Sequence, residues 1–158
     1  DSWAAPAASW AYQNGYLDAA PDGAFRLDGL VSHQQMWKIM ARWLDAPAVS
    51  ERDINDWAYQ SGAAKGGSPH SVMTRQDVVI YLYKCCFLMG GDVSAKNNLA
   101  SYSDNRLIQA KSARNAWAWA VERGIITGTD SGRLEPNGPI SRGEFAAILM
   151  RLCQNSLA

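Results

Sequence analysis

One six-residue phrase occurs three times in the chain. Trp10-Ala11-Tyr12-Gln13-Asn14-Gly15, Trp57-Ala58-Tyr59-Gln60-Ser61-Gly62 and Trp119-Ala120-Val121-Glu122-Arg123-Gly124 all read Trp-Ala-[Tyr/Val]-[Gln/Glu]-x-Gly. A phrase that returns three times within 158 residues reports one small supersecondary unit used repeatedly. Such a unit cannot bury its apolar face alone, so several must stack around a shared core.

Each phrase is followed by a helix-start signal. Val31-Ser32-His33-Gln34-Gln35, Met73-Thr74-Arg75-Gln76-Asp77 and Ile140-Ser141-Arg142-Gly143-Glu144 each place an apolar residue, then a hydroxyl, then Gln, Asp or Glu three positions on. That order is a capping box or its close variant. Ser32 and Ser141 both lie 22 residues after their Trp, but Thr74 lies 17 after Trp57, so the second copy has a shorter connecting loop.

Aligning the three hydroxyls brings the following segments into register. Met36, Val78 and Phe145 share one position; Ile39, Tyr81 and Ile148 the next; then Met40, Leu82 and Leu149; then Trp43, Cys85 and Leu152; then Leu44, Cys86 and Cys153. The spacing i, i+3, i+4, i+7, i+8 predicts three helices with one apolar face each. Cysteines at positions held elsewhere by Leu and Trp are expected to act as small buried hydrophobes rather than redox groups. Trp37, Trp43, Trp117 and Trp119 fall at core spacing as well. An outward basic residue also repeats, at Arg42, Lys84 and Arg151. Between the Trp helix and the capped helix the chain is rich in Gly, Pro and Asp, as in Asp22-Gly23 and Asp130-Ser131-Gly132, which predicts tight turns. The expected fold class is all-α, built from helix–loop–helix copies spanning 1–48, 49–95 and 96–158 in one compact domain.

Composition narrows the function. Fifteen Lys and Arg balance fifteen Asp and Glu, so the basic excess typical of a nucleic-acid protein is missing. Charged residues make up only 19% and apolar residues 47%, the balance of a packed domain. No apolar run approaches the ~18 residues of a membrane span. A start at Asp1-Ser2-Trp3 without Met suggests a processed or trimmed fragment, so a missing leader says nothing about export. His33 and His70 lack partners at metal-ligand spacing, and no HExxH, GxSxG or P-loop order occurs. Glu122, Asp130, Glu135 and Glu144 are expected on a solvated face rather than as a hydrolytic pair. No catalytic residue, metal or cofactor is expected.

With these residues in place, the chain resembles the S-layer homology family, bacterial surface-anchoring modules that commonly occur in threes. The third copy carries the resemblance best, through Gly124-Ile125-Ile126-Thr127-Gly128, the loop Gly132 to Ile140, and the start Ser141-Arg142-Gly143-Glu144-Phe145. Tyr102-Ser103-Asp104 looks like the aromatic-x-Asp opening of a family repeat. The first copy keeps Trp3-Ala4, Asp22-Gly23, Phe25 and Arg26, but has His33 and Gln35 where the family has Arg and Glu. The second keeps Thr74-Arg75-Gln76-Asp77 and replaces the Asp-Gly-x-Phe element by Lys65-Gly66-Gly67-Ser68-Pro69-His70.

The resemblance implies three copies about a pseudo-threefold axis, their capped helices forming a central bundle. It also implies grooves between copies that bind a secondary cell-wall polysaccharide, often anionic through a pyruvate ketal, or peptidoglycan. A guanidinium suits a carboxylate, and the resemblance places Arg75 and Arg142 on that group, at helix starts whose amides would add to the attraction. His33 would do the same only when protonated. Trp3 and Phe25 are the groove aromatics, while Asp22, Gly23 and Gly132 shape the loops. Asp77 and Glu144 complete the set. The implied function is a non-catalytic anchor outside the bacterial cell, tethering a larger surface protein to the wall. The alternative is an interaction module whose grooves have lost the glycan.

Overall fold

The hydroxyl residues read as helix caps do cap helices. The computed structural model describes residues 3–64 and 67–155; of the second loop's residues, Lys65 and Gly66 lie outside this range. It contains α1 (Ala5–Gln13), α2 (His33–Trp43), α3 (Glu51–Ser61), α4 (Arg75–Leu88), α5 (Lys111–Glu122) and α6 (Arg142–Asn155), with a short 3-10 turn at Asn105–Leu107. Among the described residues there is no strand, only three isolated antiparallel bridges. The Ser32/Gln35 and Thr74/Asp77 pairs form reciprocal capping boxes. At α6 the Ser141 hydroxyl accepts from Glu144 N at 3.1 Å, while the Glu144 carboxylate turns elsewhere. A further box, Ser50 with Asp53, starts α3, in a stretch that reads as linker from sequence.

The first two amides of α2, α4 and α6 are satisfied by another part of the chain. His33 N and Gln34 N donate to the carbonyls of Ser71 and Pro69, Arg75 N and Gln76 N to Gly138 and Pro136, and Arg142 N and Gly143 N to Gly29 and Leu27, at 2.7 to 3.1 Å. The three bridges run alongside, joining Ser32 to Val72, Thr74 to Pro139 and Ser141 to Leu30. Each capped helix therefore grips the loop that leads into the next one, and the last grips the first. This leaves none of the three leading amides free for an anion, contrary to what the helix starts suggest in sequence.

Packing follows the same order. α3 lies against α2, α5 against α4, and α1 against α6. α2 and α4 also touch, whereas no Cα pair of α6 with either comes within 8 Å; α6 reaches α4 through the Arg75–Glu144 ion pair. The repeated basic residue has a definite role. Arg42 donates to Asn14 O at 2.6 Å, Lys84 to Gly62 O, and Arg151 to Ile125 O at 3.4 Å. These carbonyls lie just beyond α1, α3 and α5, where a cation favours both the orphan acceptors and the helix dipole. The glycine of the six-residue phrase ends each helix: Gly15, Gly62 and Gly124 have φ between 70° and 79°, a conformation other residues adopt at a cost.

The aligned apolar positions form the core. Met36, Met40, Val78, Tyr81, Leu82, Phe145, Ile148 and Leu149 are 0–1% exposed, as are Trp37, Trp117 and Trp119, while Trp43 is half-buried. Cys85 and Cys86 are buried free thiols, and burial pushes them up to about 12 and about 11. Cys86 and Cys153 occupy matching positions on α4 and α6, but with Cα atoms more than 8 Å apart they exceed the ~7 Å limit of a disulfide. Native protein should therefore react with a thiol reagent such as DTNB far more slowly at Cys85 and Cys86 than urea-unfolded protein does. Equal rates would show that the helix ends open readily.

Candidate functional site

The first helical residue of each capped helix, His33, Arg75 or Arg142, reaches across into the loop its helix grips. Arg75 is 6% exposed. Its Nε donates to Leu134 O at 2.8 Å, its Nη2 to Thr127 O at 3.1 Å, and its Nη1 pairs with the Glu144 carboxylate. Arg142 repeats half of this arrangement: Nε donates to Phe25 O at 2.9 Å and Nη2 to Asp18 O. It is only half-buried and meets no carboxylate among the described residues.

His33 fills the same place with a shorter side chain. The ring packs on Gly67, where an added Cβ would lie 2.5 Å from it, so glycine is what admits the imidazole. Its Nδ1 is 2.8 Å from the Tyr81 hydroxyl, which also accepts from Trp37 Nε1 at 3.1 Å, and its Nε2 lies 3.6 Å from Asp77. Burial lowers the His33 pKa below the ordinary 6.5, outweighing the Asp77 carboxylate, which raises it. The folded chain thus favours the neutral ring. A histidine held neutral in the fold but free to charge when unfolded gives its full stabilisation above about 6.5 and loses it as pH falls towards the lowered folded value. Urea midpoints should drop between pH 7 and pH 5, and the drop should shrink in His33→Gln; an unchanged slope would remove His33 as its source.

The remaining candidates are dispersed. Trp3 is 69% exposed ahead of α1. Phe25 is half-buried with its ring 5.7 Å from Tyr12. Asp22 accepts from Ala24 N and pairs with Arg26 at 3.0 Å, holding the turn at Gly23, φ 83°. Gly132 repeats that turn at φ 75°, and the two loops match bond for bond, Gly23 N to Ala20 O and Gly132 N to Thr129 O. Asp104, 5% exposed, receives the amides of Leu134 and Glu135 at 2.8 Å; burial raises its pKa, but these bonds outweigh it and hold the carboxyl below the usual range. Asp77 and Glu144 are occupied with His33 and Arg75.

Two grooves stand out among the described residues, and none of the residues expected to bind glycan lines either of them. One, of about 470 Å³, lies between α4, the segment 93–99 and α5; its wall carries Tyr83, Asn97, Asn98, Lys111 and Asn115. Arg114 also lines it, but its guanidinium is bound to the carbonyls of Asn98, Asn105 and Ile108. Tyr83 stands edge-on to Trp119 at 5.7 Å, which fixes its ring. The other, of about 430 Å³, lies between the end of α1, the outer face of α2 and the start of α3, with Tyr16, Asp18, Gln35, Lys38 and Glu51 on its walls. Arg42 sits over the Tyr16 ring at 4.7 Å. Amides, an ammonium and an aromatic face around a cavity this size suit hydroxyl-rich ligands of one or two rings. The sequence offered only a weak signal for them, an Asn pair in a polar linker.

Residues 106–146, from the 3-10 turn through α5 to the first turn of α6, match the family model of the S-layer homology domain. Domains of this family are in general non-catalytic cell-wall anchoring modules found in surface proteins. No curated protein matches the chain. Among the described residues no helix is long and apolar enough to cross a membrane.

Proposed function

We propose that the chain is a non-catalytic anchoring module that binds a cell-wall polysaccharide, tethering a larger exported protein to the bacterial surface. One observation carries the reading: the segment matching the S-layer homology domain supplies the α5 wall of the 470 Å³ groove, including Lys111 and Asn115. In this reading the chain is three related units, 1–48, 49–95 and 96–158, about a pseudo-threefold axis. The head-to-tail grip of the three capped helices supports it. The two grooves are then the clefts between consecutive units.

Anionic polysaccharide carrying a pyruvate ketal fits this proposal through Lys111 at one groove and Lys38 at the other. Arg75 and His33 act here as braces between units, since their polar atoms are already engaged. Co-sedimentation with bacterial wall sacculi tests the reading. Binding that disappears after acid extraction of the accessory polysaccharide is the expected result. Binding that persists points to peptidoglycan, and no binding to either preparation overturns the anchor in favour of an interaction module.

A further inference from the structure

The two grooves differ in the charges they present. The lining of the 470 Å³ groove contains no carboxylate, and its cations are Lys111 and the engaged Arg114. The 430 Å³ groove carries both signs: Lys38 from the outer face of α2, Asp18 from the segment after α1, and Glu51, the first residue of α3. All three are exposed, and none has an ion pair or a side-chain hydrogen bond among the described residues. Opposite charges that share a groove without pairing stay open to a molecule that carries both signs itself.

The rest of the lining speaks against a sugar ring as that molecule. Arg42 is held by Asn14 O and lies over the Tyr16 ring, and Trp10 and Trp43 pack on the same ring at 5.4 and 5.8 Å. The groove's one aromatic ring is thus committed to protein neighbours rather than open for stacking. Its other walls are aliphatic: Ile39 and Ile54 are 3% and 4% exposed, Ala46 and Ala48 are half-buried, and Val49 is 89% exposed. A small aliphatic side chain seated there would cover Val49 and take apolar surface out of water.

We propose that this groove binds a short peptide of small aliphatic residues with a free ammonium and a free carboxylate, the carboxylate meeting Lys38 and the ammonium meeting Glu51 and Asp18. Ligand pockets span about 300–1,000 Å³, and a groove of 430 Å³ at the small end of that range limits the occupant to a short peptide. The proposal goes beyond the anchoring reading, which asks Lys38 only for an anion.

Alanyl-alanine is the probe. Its N-acetyl form lacks the ammonium, its C-terminal amide lacks the carboxylate, and sodium galacturonate supplies an anionic sugar. Binding is read from the backbone amide resonances of Ile39, Val49 and Ile54. Alanyl-alanine should shift all three, and either blocked form should bind about tenfold more weakly. Lys38→Met should weaken the free dipeptide about tenfold while leaving the C-terminal amide unaffected, and Asp18→Asn/Glu51→Gln should weaken it while leaving the N-acetyl form unaffected. Exposed side chains seldom support a fold, and an unchanged thermal midpoint verifies that each variant is folded. No shift with alanyl-alanine, equal binding of the blocked forms, or a galacturonate response that matches the dipeptide's and survives Asp18→Asn/Glu51→Gln overturns the proposal. Sedimentation with sacculi reports on the anchor separately. Wall binding without dipeptide binding removes the proposal and keeps the anchor; dipeptide binding without wall binding does the reverse.

Discussion

Glu144→Ala will lower the stability of the chain by about 3–5 kcal/mol, because it strips the counter-charge from a cation enclosed by protein. The Arg75 side chain is 7% exposed and that of Glu144 27%, and the guanidinium would keep only the carbonyls of Leu134 and Thr127. For a domain of this length, each kcal/mol moves the midpoint by roughly 2–4 °C, so a fall on the order of 10 °C should appear in a thermal melt followed by circular dichroism. The double variant Arg75→Met/Glu144→Ala should recover part of the loss, since much of it is the penalty for burying one unpaired charge. A loss below about 1 kcal/mol would mean that water reaches the guanidinium and that the pair does no more than a surface bridge.

Trp117→Ala should cost about as much by a different mechanism. Trp117 has no exposed surface and joins α5 to α4, donating from Nε1 to Gln76 Oε1 at 3.0 Å. Removing the indole leaves a cavity where two helices meet, a change that costs about 3–5 kcal/mol in tightly packed cores. Trp117→Phe retains much of the bulk and loses the hydrogen bond, so it should fall between, at about 1–2 kcal/mol beyond its smaller volume. Urea unfolding gives both values. A shifted midpoint at unchanged slope indicates lost packing, whereas a shallower slope would indicate that α5 separates before the rest.

What the sequence disclosed was local. A hydroxyl followed three residues later by Gln, Asp or Glu signals a helix start through atoms one turn apart, so Ser32, Thr74 and Ser141 were legible. The apolar stripe is set by helix period, so the core positions were legible too. The role of Arg75 was not, because an arginine in a first turn reads the same whether solvated or enclosed. Its carbonyl partners Leu134 and Thr127 are 59 and 52 residues away. The same distance hides the fate of the helix amides, whose acceptors lie on other loops. Ser50 escapes notice because it follows Pro47-Ala48-Val49 and reads as linker. The grooves stayed hidden because Asn, Lys and Tyr on a surface carry no periodic signal, and only the folded chain brings Tyr83 beside Asn97 and Lys111.

The closure of the last helix onto the first loop bears on how the chain can come apart. A linear solenoid has end members that fray, and its stability grows roughly by one increment for each member added. Here α1 rests on α6, Ser141 bridges to Leu30, and Arg142 holds Phe25 and Asp18, so neither end of the array is left open. Excising any one capped helix with its loop severs two contacts rather than one, leaving one set of amides without acceptors and one set of loop carbonyls without donors. Melting should accordingly be all-or-none, and the stretch 106–146, cut from its neighbours, has no partner for its own α5 face.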